Sequence, residues 1–261
     1  MKLAFSLLLL FYTGSSMSCS LNRPLISLSG PITMLLEELG LLTDKNLKGI
    51  SLFHPVNNFN GKKYGGGIFL GEKFFQEIGN SIIFYDQSRE LNKLFSKKTS
   101  KVISINSRGK NPFEVVVDNI RLLESFLDKC TDRIKKLNLL LQKVRDNRSL
   151  KNKQLIFFLG KINSNLKPDK IIVNDGAILS FKSMGMKTYK SDFSYVSWSA
   201  KKMNTEYKDY QQIGLFDEGN VNRLVVSKVG DRMYNLNFRG VFIPGIRQVH
   251  FVDEFLKYKF D

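Results

Sequence analysis

The spacing of apolar positions changes period several times along the chain, and each change marks an element. Residues 24–29, Pro24-Leu25-Ile26-Ser27-Leu28-Ser29, form an apolar run short enough for a buried strand. Gly30-Pro31 opens a helix, since the fixed φ of proline suits the first helical position. Ile32, Leu35, Leu36 and Leu39 recur on one face of that helix, and Gly40 stops it. Residues 49–53 read as the next strand, followed by a polar loop from Pro55 to Gly67. A short helix at 71–78, a buried strand at 81–85, a helix at 88–97 capped by Ser88 and a strand at 102–106 continue the alternation. Strands alternating with short helices predict a parallel α/β lobe.

The longest pattern follows. Asn111 suits an N-cap, Pro112 the first helical position, and Glu114 can close a capping box. Phe113, Val116, Ile120, Leu123, Leu127, Cys130, Ile134, Leu137, Leu141 and Val144 then recur at steps of three or four, the period of a helix face. One unbroken helix to Asp146 spans roughly 50 Å at 1.5 Å per residue, longer than a small lobe is wide, and so predicts a strut between two lobes. Beyond a basic segment at 145–153, strands are expected at 154–159, 170–173, 187–189, 223–227 and 232–236, with a helix at 177–184. A terminal helix starts at Pro244 and turns Ile246, Val249, Val252 and Leu256 inward, whereas 194–219 shows no clear period. The expected fold class is α/β: two Rossmann-like lobes with parallel sheets, residues 19–110 and 148–261, joined by one long interlobe helix at 111–147.

Composition changes this picture in three ways. First, Lys2 precedes an apolar run at 3–12 and a small-residue exit, the parts of a signal peptide ending at Ser18. Export to the periplasm or the extracytoplasmic face of the cell membrane is expected. Cys19 then becomes the mature terminus and a candidate for acylation, which would anchor the chain to the membrane; an ordinary secreted chain beginning at Cys19 is the alternative. Cys130 is the only other cysteine, so acylation of Cys19 leaves no disulfide framework. Second, the net charge of +16 falls to +15 when Lys2 is removed, but the lysines are scattered in pairs and form no tract. No nucleic-acid partner is expected. Third, the 2 histidines and the absence of a nucleophile elbow or metal-spaced cluster give no catalytic residue, and the protein is expected not to be an enzyme.

Four stretches together resemble the periplasmic binding proteins that serve ABC importers of cobalamin, ferric siderophores and haem. They are Leu25 to Thr33 with Glu37-Glu38-Leu39-Gly40; Glu72 to Ile83, with Gly79-Asn80 where the family has Pro-Asp; Phe113 to Val144; and Val229 to Leu236 with Pro244-Gly245-Ile246-Arg247. The resemblance implies a monomeric solute-binding component without an intrinsic cofactor. It would capture a metal chelate between the lobes and deliver it to an ABC permease. It further implies docking to the permease through Glu72, with Glu206 or Glu218 as the second-lobe counterpart. The departure lies at 193–222, where the family's Glu-led helix and Pro-Asp strand find no match, so a ligand-free sensor or structural lipoprotein of the same fold is the rival reading.

Ligands of open α/β sheets sit beyond the carboxyl ends of the strands. That rule selects Ser29, His54, Gly65-Gly66-Gly67, Tyr85-Asp86, Asn106 to Arg108 and Asn174-Asp175. Among these and the later loops, His54 is the candidate axial ligand to iron or cobalt. Tyr85 could stack on a macrocycle or ligate iron, Trp198 could serve as a stacking platform, Phe242 lies in a loop that could face the cleft, and Arg108 and Arg239 could pair with carboxylates of a chelate. His250 falls on the terminal helix and reads as structural.

Overall fold

The computed structural model describes residues 19–54, 56, 58–65, 72–95, 102–107, 109–161, 168–173, 176–189, 191–193, 195–197, 199–217, 224–229, 232–237 and 244–257. The expected signal peptide lies outside them.

The first sheet contains β2 (Leu25–Leu28), β3 (Leu47–Ser51), β4 (Lys62–Tyr64), β5 (Ile82–Asp86) and β6 (Val102–Ile105), in the order β4-β3-β2-β5-β6. Every neighbouring pair is parallel. Its helices are α1 (Gly30–Glu38), α2 (Glu72–Glu77) and α3 (Arg89–Phe95). The caps follow the sequence: Ser88 Oγ accepts from Leu91 N at 3.1 Å, and Asn111 Oδ1 accepts from Phe113 N at 3.0 Å.

The second sheet holds β8 (Leu155–Lys161), β9 (Pro168–Ile172), β10 (Tyr195–Ser197), β11 (Gln211–Asp217), β12 (Leu224–Val229) and β13 (Arg232–Asn237), in the order β10-β9-β8-β11-β12-β13. Only β8 and β11 pair in parallel, so the expectation of a parallel second sheet is corrected. Residues 162–167, 218–223 and 230–231 are too few for a crossover helix, so β9, β12 and β13 return antiparallel to the strands before them, whereas β10 is antiparallel to β9 although a helix lies between the two. The stretch without a clear period resolves into β10, α7 (Ala200–Glu206) and β11, which supply the helix-then-strand unit that the sequence did not place.

The single long helix is also corrected. It is two helices, α4 (Pro112–Glu124) and α5 (Thr131–Arg145), separated by β7 (Leu127–Asp128). β7 pairs antiparallel with β1 (Ser20–Leu21), Phe126 meets Phe84 with ring centroids 5.5 Å apart, and Lys129 takes φ 56°. Apolar side chains keep their spacing through the break, which hides it from a periodicity argument. Tertiary contacts made by Phe126 and Leu127 win over helix continuation. Cys130, next to the break, forms a disulfide with Cys19. The sulfur of Cys19 is committed to that bond here, the arrangement that goes with the alternative of an unacylated Cys19; the acylated form, in which Cys130 has no partner, is not the one this structure describes.

α8 (Ile246–Phe255) packs against α1, α4, α5 and α6 (Gly176–Ser183). Phe251 and Phe255 are fully buried, and the Phe255 ring lies 4.9 Å from Phe181 and 5.4 Å from Phe157 of β8. On its other side Arg247 pairs with Glu37, and His250 Nε2 lies 3.0 Å from Glu38 of α1. The His250 hydrogen bond holds the Glu38 carboxyl below the usual range, against the effect of burial. Lys143 of α5 meets Asp253 at 2.8 Å. Gly245 opens α8 with φ 107°, and a Cβ there would stand 3.3 Å from Val115 Cγ1 of α4, so glycine permits both the turn and the close approach. One contiguous core thus runs from Leu25 of the first sheet through α8 to Phe157 of the second.

The disulfide closes a loop across a sequence separation of 111 residues. Loop-closure entropy for a span near 100 residues predicts a loss of roughly 2–5 kcal/mol when it is removed. Cys19→Ser, Cys130→Ser and the double variant are expected to lose stability by the same amount in urea unfolding. Reductant should lower the wild type to the same level and leave the variants unchanged.

Candidate functional site

In the first sheet the chain proceeds from β2 to β3 and β4 on one side, then crosses back to β5 and β6 on the other. The carboxyl ends of β2 and β5 therefore flank the topological switch point, where an open parallel sheet leaves a crevice for a ligand. Ser29, immediately after β2, is fully buried and N-caps α1. Its hydroxyl donates to Asp86 Oδ1 at 2.6 Å, and Gly30 N donates to Asp86 Oδ2 at 3.0 Å. The carboxylate at the end of β5 is thus held against the first turn of α1, where the helix dipole and free N–H groups favour negative charge. The anion seat at this helix end is filled by the chain itself.

His54 stands in the bend after β3, half-buried, with Nδ1 3.1 Å from Thr33 Oγ1. Thr33 Oγ1 also lies 2.8 Å from Ser29 O and 2.8 Å from Ser27 Oγ, so a buried hydroxyl network grips the ring at Nδ1 and leaves Nε2 outside it. Burial pushes the His54 pKa down to about 4, so the ring is neutral at pH 7. Leu52 and Phe53, in the turn between β3 and His54, are 58% and 66% exposed. They were expected at the buried end of a strand; β3 stops at Ser51 instead, and the turn leaves both side chains in solvent. This apolar rim beside a neutral imidazole is what sequence reasoning missed. Two bulky apolar residues against His-Pro, where a strand should already have ended, were the available signal.

The other expected site residues divide. Tyr85 is buried, its ring 4.8 Å from Phe95 and its hydroxyl donating to Asn92 Oδ1 at 3.0 Å. Its stacking face is used by the core, which removes it as a ligand platform. Glu72 opens α2, the helix before β5. Glu206 closes α7, the helix before β11, whereas Ala200-Lys201-Lys202 open it. Glu206 is therefore at the opposite end of its helix from Glu72 and does not stand as its counterpart. His250 pairs with Glu38 as described. Arg108, Trp198, Arg239, Phe242, Asn174-Asp175, Gly66-Gly67 and Glu218 lie outside the described residues.

A groove of about 500 Å³ lies elsewhere, between α4, the turn after α5 and the end of α6. Glu114, Asp118 and Asp146 line it together with Arg121, Arg145 and Arg148. Its charges balance, and no strand end contributes to it. Among the described residues no group of three or more His, Cys, Asp or Glu could hold a metal ion.

No protein-family model matches the sequence, and no curated protein sequence matches it. Solved structures do. The periplasmic haem-binding protein HutB of Vibrio cholerae superposes with a TM-score of 0.51 at 17% identity, over 75% of this chain and 76% of that one. The periplasmic haem-binding protein BhuT in complex with two haems gives 0.54 at 12% identity, over 75% and 77%. The periplasmic vitamin B12-binding protein BtuF of Vibrio cholerae gives 0.51 at 16% identity, over 75% and 76%. The chain has the two-lobed α/β fold of the periplasmic binding proteins. At such identities the likeness establishes architecture, so the residues argued above carry the rest.

The His54 shift sets a pH dependence. A histidine whose folded pKa lies below the unfolded value of about 6.5 disfavours the fold once the unfolded chain takes up the proton. Stability is full above pH 6.5 and falls as the pH drops towards about 4. The loss from this group is at most on the order of 3 kcal/mol. With 2 histidines in the chain, proton NMR should show two imidazole resonances, one of them titrating near pH 4 and vanishing in His54→Asn.

Proposed function

We propose that the protein is the solute-binding component of an ABC importer, capturing a metal chelate beside the switch point of its first sheet and delivering it to a permease. His54 is the observation that carries this reading. A neutral imidazole held at Nδ1 by Thr33 fits a metal with an open axial position, and the exposed Leu52 and Phe53 fit the apolar face of a macrocycle. Haem and cobalamin meet both conditions. A ferric siderophore, which fills the coordination sphere of its iron, leaves the imidazole without a role. The haem- and B12-binding proteins that share the fold support this choice of cargo. Docking to the permease is assigned to Glu72 on the first lobe, with Glu218 left as the second-lobe counterpart, since the helix that ends at Glu206 has a basic start. Residues 19–110 and 148–261 would be the two lobes, with 111–147 between them.

Haem and cobinamide titrations of the oxidised chain beginning at Cys19, followed by absorbance, test the reading. Saturable binding at one site is expected, with an axial-histidine spectrum. His54→Ala should weaken it by on the order of tenfold or more. A well-folded protein that binds neither chelate, or binds both with full affinity after His54→Ala, would contradict it.

A further inference from the structure

The outer side of α5 and the turn after it concentrate charge. From Thr131 to Lys151 lie seven cations, Arg133, Lys135, Lys136, Lys143, Arg145, Arg148 and Lys151, and two carboxylates, Asp132 and Asp146. This net +5 sits in a stretch of a chain whose charge is +16. All seven are exposed. Arg133 donates to Leu39 O, Lys143 pairs with Asp253, and Arg145 lies 3.4 Å from Asp146. Lys135, Lys136, Arg148 and Lys151 have no ion-pair partner among the described residues. Leu137, Leu141 and Val144 face inward. Helix geometry therefore places Lys135, Leu139 and Lys143 in one outward row, each a turn above the last. Leu139 is 56% exposed at the middle of that row.

We infer that this face of α5 binds an anionic lipid surface. A convex helix edged with lysine and arginine, with one aliphatic residue at its centre and no aromatic ring along it, suits lipid headgroups. It offers nothing on which nucleobases could stack. The disulfide strengthens the argument. It joins Cys19 to Cys130, directly before the first residue of α5, and so fixes the start of this helix to the first strand pair. An importer component benefits from residence near the membrane, and that clause alone rests on the proposed function. The charge distribution stands without it.

Co-sedimentation of the oxidised chain beginning at Cys19 with vesicles tests the inference without any chelate. Vesicles of phosphatidylcholine with phosphatidylglycerol should bind the protein, pure phosphatidylcholine should not, and raising the salt should abolish binding. Replacing Lys135, Lys136 and Lys143 by glutamine should weaken binding by about fivefold per charge, roughly 100-fold together. Replacing Lys45, Lys201 and Lys208, exposed lysines on other elements, removes the same charge and should change binding by no more than about twofold. Far-ultraviolet dichroism checks that both variants are folded. No binding to the anionic vesicles, equal binding to neutral ones, or an equal loss in the two triple variants would overturn the inference. Binding of duplex DNA as tight as that of the vesicles at the same salt would overturn it too.

Discussion

The structure depends on the burial of one helix, α8, between the two halves of the chain. Its aromatic residues enter the second lobe, where Phe251 and Phe255 join Phe157 and Phe181. Its charged residues reach α1 and α5 of the first half through Glu37, Glu38 and Lys143. The apolar side dominates energetically. Each fully buried phenylalanine contributes about 1.5–3 kcal/mol, whereas partly exposed ion pairs of this kind contribute about 0–1 kcal/mol. The ion pairs set the orientation of α8, and the rings supply its affinity for the second sheet. A core continuous across the lobes leaves little room for hinge closure.

That constraint replaces the one expected from the sequence. A single rigid strut would have held the lobes apart at a fixed spacing; the two shorter helices leave a corner at Ser125 to Cys130. The corner is fixed by pairing to β1 and by the disulfide, so stiffness is recovered by tertiary contacts. The same corner ties down residues 19–21. At the switch point a similar economy holds. Asp86 satisfies the end of α1 and orders the loop after β2, which positions Thr33, and Thr33 in turn holds the His54 ring at Nδ1.

Much of the first lobe was legible because its elements are punctuated by local chemistry: Pro31, Asn111 and Ser88 mark helix starts, and short apolar runs mark strands buried on both faces. The second lobe was less legible. Its strand partners are set by connection length, and β10 to β11 carries neither a strong cap nor a clean period. The break at Leu127 was invisible because its side chains obey helical spacing while its backbone pairs with β1. Of the site, His54 could be named from sequence, but its orientation depends on Thr33, 21 positions away. Tyr85 failed as a candidate because strand alternation turned it towards Phe95 and the helix side of the sheet.

Native-state hydrogen exchange of the oxidised protein tests most directly whether α8 binds the two lobes into one body. The account predicts that the amides of Ile246–Phe255, β2, β5 and β8 open together, with free energies within about 1 kcal/mol of one another and equal to that of global unfolding. Opening of α8 at a much lower free energy, with the two sheets then exchanging independently, would contradict it.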